Sequence, residues 1–271
     1  GYEGIGRCNT HLDRLPGAEA SEERKLQMEG EAKFLRALYY YLLVTYYNGV
    51  PLVLSIPEMS HGTLPRSSRE EVVSQIIGDL DRAAECLDWK WGSKSDKGRA
   101  TKGAAMSLKA RLLLFEASPL VNEKGDLALW KKAADAAAEV MDHAKEAGYD
   151  LFPDYRKLFL PANEHSCECI FDVEYSKTKN TPINAWNVQS VQYRNNAPLL
   201  DLVNAYESSD GKTYAQDNYD KKDPRFKATV FYPGCTFLGK ANSTATQICQ
   251  FTGFAHKKLT IYDNQARDPD D

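Results

Sequence analysis

Three features of this 271-residue chain predict a mainly α fold, with helical hairpins packed against a loop-rich, irregular half that holds a little β. Residues 22–47, 68–87, 101–117 and 126–148 each carry helix start and stop signals around apolar positions at helical spacing. Beyond residue 150 that spacing gives way to one alternating stretch and then to sequence dense in Gly, Pro, Asn and Asp. At 42% hydrophobic and 27% charged, the chain can bury a sizeable core. The expected division is a helical part over 1–150 and a loop-rich, ligand-facing part over 151–271 of the same domain.

The first helix runs from about Glu22 to Tyr47, charged at its start and apolar all round in its last three turns, a pattern that calls for protein on most sides. No charge occurs from Ala37 to Pro57, a 21-residue window that has to be tested as a membrane span. Asn48-Gly49 supplies a C-cap, with Gly49 at positive φ, and Pro51 cannot continue the helix. The hydroxyls of Tyr39, Tyr40, Tyr41, Tyr46 and Tyr47 would be costly in hydrocarbon. The window therefore reads as a helix end, with its tyrosines as amphipathic core.

Ser68-Arg69-Glu70-Glu71 is a capping box, and Val72, Val73, Ile76, Ile77, Leu80 and Ala83 continue one stripe to Leu87. After the polar loop "KWGSKSDKG", the run from Thr101 to Ala117 places Ala104, Ala105, Leu108, Leu112 and Phe115 on one face, and Ser118-Pro119 ends it. Asp126 caps a helix through Leu127, Trp130, Ala134, Ala137, Met141 and Ala144 to a C-cap at Gly148. Long helices in succession, rich in Ala at contact positions, suggest stacked hairpins of the tetratricopeptide kind. "CECIFDVEYS" alternates and reads as a strand, and residues 198–207 form a short helix.

Several function classes drop out. A net charge of −4 and a pI near 5.8, with scattered lysines and arginines, leave no footprint for nucleic acid. Motifs for zinc proteases, serine hydrolases and P-loops are absent, and Gly4-Ile5-Gly6 is an incomplete scrap of a dinucleotide fingerprint. No cofactor is called for. His165, Cys167 and Cys169 on one strand face are more simply a half-buried strand than a metal site, because no second cluster has zinc-like spacing. Asp217, Asp220 and Asp223 do not match a calcium loop, and Asn242-Ser243-Thr244 fits a glycosylation sequon. The six cysteines form no C-x-x-C pair.

An ordered series of segments carries a resemblance. "EAKFLRALYYYLLVTYYNGVPLV" and "RATKGAAMSLKARLLLFEASP" resemble two signature helices of the SusD/RagB family, the surface glycan-binding lipoproteins of Bacteroidetes. "AGYDLFPDYRKLF", "ECIFDVEYS", "LVNAYESSDGK" and "DPRFKATVFYPG" are similar to its later elements, in order. The family's N-terminal region with its lipidated cysteine and its C-terminal E-R-x-x-E-L helix have no counterpart, so the chain resembles a middle portion of such a protein. Cys8 lies at a family "C-N" position and not at a lipobox.

The resemblance implies tetratricopeptide-like units against an irregular half, a place on the outer face of the outer membrane, and contact with the membrane only through a lipid anchor absent from this chain. It implies oligosaccharide or polysaccharide capture, without catalysis, for delivery to a SusC-like TonB-dependent transporter. In the region where the family places its ligand site, "NAWNVQSVQYRNN" offers Trp186 and Tyr193 as stacking platforms, with Asn187, Gln189, Arg194 and Asn195 to bond hydroxyls. The plainer reading is that Trp186 and Tyr193 anchor a long loop. Trp89 and Trp91 read as helix-end packing. Two rivals stand: a helical-repeat adaptor that binds protein, and a glycosidase with two facing carboxylates.

Overall fold

The computed structural model describes residues 1–91, 96–173, 197–215, 217–237, 240–241 and 252–258. Residues 1–150 with 167–173 make one compact unit, and 151–166 with 174–271 make a second.

In the first unit, helix α1 (Tyr2–Arg14) precedes α2 (Glu22–Tyr47), α3 (Arg69–Cys86), α4 (Lys102–Ala117), α5 (Leu127–Asp142) and the single turn α6 (Ala144–Ala147). Successive helices pack on one another from α1 to α5, with the α2/α3 and α4/α5 hairpins in the most extensive contact. The architecture is the expected helical one. Helix α1 had no forecast. Its Gly4 and Gly6 are places of close approach: a Cβ on Gly4 would stand 2.4 Å from the Tyr39 ring, and one on Gly6 would stand 2.7 Å from Pro57.

The caps behave as their chemistry requires. Ser21 accepts from the Arg24 amide at 3.2 Å, and Ser68 and Glu71 complete their box with bonds of 3.2 and 2.7 Å. Thr101 caps α4 through the Ala104 amide, and Asp126 caps α5 through the Ala128 amide. The stripe of α3 is buried at Val72, Ile76, Leu80 and Ala83, where it meets Phe34, Tyr40 and Val44 of α2 and Ala105 and Leu112 of α4. Side chains so buried contribute roughly 1.5–3 kcal/mol each for the larger ones.

Four details depart from the sequence expectation. The positive φ at the end of α2 belongs to Asn48, at 62°, and Gly49 is needed because a Cβ there would lie 2.2 Å from the Ser67 carbonyl oxygen. The last turns of α2 are not covered all round: Tyr40 is fully buried, but Tyr46 and Tyr47 are 78% and 63% exposed. The fourth predicted helix breaks at His143, whose ring stacks on Trp89 at 4.7 Å, before α6 reaches its cap at Gly148 with φ 78°. Residues 167–173 form no strand, and Glu174, Tyr175 and Ser176 lie outside the described residues. Ile170 and Phe171, neighbours that alternation puts on opposite faces, both pack on the helical core, and Phe171 meets Phe34 edge-on at 4.8 Å. Turn and bend at 167–170, with side chains pressed on the helices, carry this stretch in place of a ladder.

Among its described residues the second unit holds α7 (Leu200–Ala205), α8 (Pro224–Thr229) and two small antiparallel pairs: β1 (Val230–Phe231) with β4 (Ala255–His256), and β2 (Thr236–Phe237) with β3 (Lys240–Ala241). Its core gathers Val203, Phe226, Val230 and Phe254, ringed by Tyr206, Tyr219 and Tyr232.

Candidate functional site

The residues singled out for sugar stacking and hydrogen bonding, Trp186, Asn187, Gln189, Tyr193, Arg194 and Asn195, lie outside the described residues, as does the sequon at Asn242. Trp89 is buried between His143 and the Lys102 ammonium, and Trp91 donates its indole N–H to the Ala100 carbonyl at 2.9 Å under the Arg99 guanidinium. Both rings are helix-end packing. Among the described residues no group of three His, Cys, Asp or Glu side chains could hold a metal ion. Two of the three aspartates weighed for calcium are engaged otherwise: Asp220 pairs with Lys227 at 2.6 Å, and Asp223 caps α8 and binds Arg225.

A polar cleft of about 320 Å³ opens in the second unit around the segment after α7. Its frame is a short antiparallel pairing of 207–209 with 221–223. The Asp223 amide donates to the Glu207 carbonyl, the Ser209 amide donates to the Lys221 carbonyl, both at 2.8 Å, and Ser208 bridges Lys222. Between these runs the chain turns at Gly211, whose φ of 72° suits glycine. Asp210 holds the turn: it accepts from the Lys212 amide at 3.2 Å and from the Tyr214 hydroxyl at 2.6 Å. That hydroxyl bond holds the Asp210 carboxyl below its usual range and raises the Tyr214 phenol.

Charge in the cleft is lopsided. Lys212, Lys221 and Lys222 line it, against the single carboxylate of Glu207. Lys222 donates to the Tyr206 carbonyl at 3.3 Å, and the Lys221 ammonium stands 5.7 Å from the Tyr214 ring centroid. Asn204 and Asn218 add neutral donors and acceptors to the wall. Such a lining can bond a polyhydroxylated, negatively charged ligand. Sequence reasoning passed over it, because Asp210-Gly211-Lys212 stood out only as a family element and the pairing that assembles the cleft is non-local.

A second cleft, apolar and about 580 Å³, lies within the first unit between α2, α4 and α5. Phe34, Leu108, Leu114, Trp130, Ala137 and Phe171 are in its lining, and Arg111 is a charged member of it. The stripe predicted for α5 thus faces this cleft through Trp130, Ala134 and Ala137, with Trp130 42% exposed. Among the described residues no helix is long and apolar enough to cross a membrane.

Known proteins resemble the chain along most of its length. Residues 1–114 match a SusD-like family model described as starch-binding associating with outer membrane, and residues 167–267 match that of the SusD family. A SusD-like protein of Bacteroides ovatus is 28% identical over 228 residues, which are 79% of this chain and 38% of its own. A SusD-like protein of Bacteroides fragilis of known crystal structure superposes with a TM-score of 0.79 at 26% identity, covering 97% of this chain and 56% of its own. A second from that species, described as a SusD-like carbohydrate binding protein, gives 0.76 at 25% identity over 95% of this chain and 52% of its own. The chain therefore spans under half the length of the curated relative and a little over half of each solved structure.

Proposed function

The chain belongs to the SusD/RagB family, and from that premise we propose that it is the non-catalytic glycan-capturing part of an outer-membrane uptake assembly. It binds oligosaccharide or polysaccharide on the extracellular face and delivers it to a SusC-like TonB-dependent transporter. The observation that carries this reading is the pair of family matches, one of them described as starch-binding associating with outer membrane, which fall in order along the chain. A relative described as carbohydrate binding, with nearly the whole of this chain superposed on it, supports it further. No catalytic motif competes with it. Trp186 and Tyr193 stack on pyranose faces in this proposal, and Asn187, Arg194 and Asn195 bond the hydroxyls around them.

Affinity electrophoresis against amylose, laminarin, xylan and acidic polysaccharides tests the proposal, with Trp186→Ala alongside. Retardation by a glycan, without release of reducing ends and weakened at least tenfold by Trp186→Ala at an unchanged melting temperature, is the expected result. Retardation that Trp186→Ala leaves intact removes that residue from the site. Release of reducing ends supports the glycosidase rival. Absence of retardation by every glycan overturns capture and favours the second reading, a helical-repeat adaptor for another protein, which the open apolar cleft beside α5 supports.

A further inference from the structure

We propose that the lysine-lined cleft of the second unit is a seat for an anionic sugar, one that bears a carboxylate or a sulfate ester on its ring. The proposal deepens the glycan-capture reading and rests on it for the carrier of the charge.

Three observations converge. First, the cleft is built on paired backbone, with bonds of 2.8 Å between 207–209 and 221–223, so its walls are set before a ligand arrives. Second, its cations outnumber the carboxylates free to oppose them. The Lys212 ammonium has no partner among the described residues, Lys222 is bonded to a carbonyl, and Asp220 and Asp223 are paired with Lys227 and Arg225, whereas Asp210, bonded to the neutral Tyr214 phenol, stays anionic and within reach of the Lys221 charge. Glu207 and Asp210 offset two of the three lysines, and the local excess is still positive in a chain whose net charge is −4. Third, the rest of the lining suits hydroxyls more than a bare inorganic ion. Asn204 and Asn218 offer amide donors and acceptors, and the Tyr214 oxygen, donating to Asp210, keeps its lone pairs for a sugar hydroxyl. The cleft volume is at the small end of small-molecule sites, enough for a ring or two and not for a folded partner.

Polygalacturonate, which carries carboxylates only, and dextran sulfate, which carries sulfates only, are the probes, with amylose and laminarin as neutral controls. The full 271-residue chain is compared with Lys212→Gln/Lys221→Gln and, as a charge-matched control, with Lys131→Gln/Lys132→Gln on α5. The expected result is retention by one acidic polymer, weakened at least tenfold in the cleft variant, unaltered in the α5 variant, and reduced steeply between 50 and 500 mM salt, about the range in which exposed charges become screened. Which polymer is retained distinguishes uronate from sulfate. Retention of both polymers lost equally in the two variants overturns the proposal as unspecific attraction to lysine. Retention of neutral glycans alone overturns the cleft and leaves capture standing, whereas retention of none overturns both. Acidic-polymer binding lost in the cleft variant but intact in Trp186→Ala upholds the cleft while removing Trp186 from the site.

Discussion

The guanidinium of Arg36 and the carboxylate of Asp79 face each other in the interior of the helical unit, joined by two hydrogen bonds of 2.7 Å. Their side chains are 7% and 1% exposed. Arg36 also donates to Asn9 at 2.9 Å, and Asn9 in turn donates to the Val53 and Ser55 carbonyls, so one network ties α1, α2, α3 and the segment after α2. Removing one member of a buried pair strands the other. Asp79→Ala should cost about 3–5 kcal/mol in urea denaturation, while Arg36→Met combined with Asp79→Leu should recover part of that loss, because Asn9 and Lys33 also lose a partner in it. Equal stability of the single variant and wild type would show that the pair is dispensable.

Tyr40 clasps Val53 from both sides, accepting from its amide at 2.7 Å and donating to its carbonyl at 3.1 Å. Tyr40→Phe should lose about 1–3 kcal/mol, because the Val53 amide loses its partner while the carbonyl keeps only the Asn9 donor.

The same residue sets an alkaline limit. Burial pushes the Tyr40 phenol from 10.0 up to about 12. Between those values the folded state keeps a proton that the unfolded chain has released, so the stability involved is whole below pH 10 and is lost as pH rises through about 12. The loss should amount to roughly 2–3 kcal/mol. Alkaline denaturation curves of wild type and Tyr40→Phe, subtracted, should isolate this limb, and a flat difference would refute it.

Gly49 and Gly78 should respond in opposite directions. A Cβ on Gly49 meets the Ser67 carbonyl, so Gly49→Ala, and Gly49→Val more so, should lower stability by about 1–3 kcal/mol. Gly78 lies in α3 with nothing within 4 Å, and Gly78→Ala should raise stability by about 0.5–1 kcal/mol. Thermal melts of the two variants decide both.

Asp223 is the acid-side counterpart. The Arg225 guanidinium bond, with the Arg225 amide, holds its carboxyl at about 2 instead of 3.8. Its contribution is therefore present above pH 3.8 and lost as pH falls through about 2. Asp223→Ala should remove the cap of α8 and cost about 0.5–2 kcal/mol at neutral pH. Asp223→Asn should keep the cap and lose the acid dependence, which a pH series of melts would reveal.

Local chemistry was the legible part of this fold. The bounds of α2, the box at Ser68, the cap at Asp126 and the stop at Gly148 depend on neighbours within a few residues, and each is where its signal lies. Helix α1 was illegible because Gly4 and Gly6 weaken helix propensity, and the reason for them, Tyr39 and Pro57, is distant in the chain. The strand predicted over 167–176 is not formed in its described part, 167–173, because alternation of apolar and polar residues also arises where a turn presses Ile170 and Phe171 on helices. In the candidate site, the stacking residues at 186–195 lie outside the described residues, and the lysine cleft needs residues up to 18 positions apart, Asn204 to Lys222, brought together by backbone pairing.

The return of Cys167–Val173 to the helical unit has a consequence for synthesis. Ile170 and Phe171 pack on Phe34 from outside the helical core, so this flank is covered only after residue 171 has been synthesised. During that interval the emerging helices expose an apolar flank. A fragment ending at Asp150 would make this transient condition permanent, and it should aggregate sooner on warming than one ending at Val173.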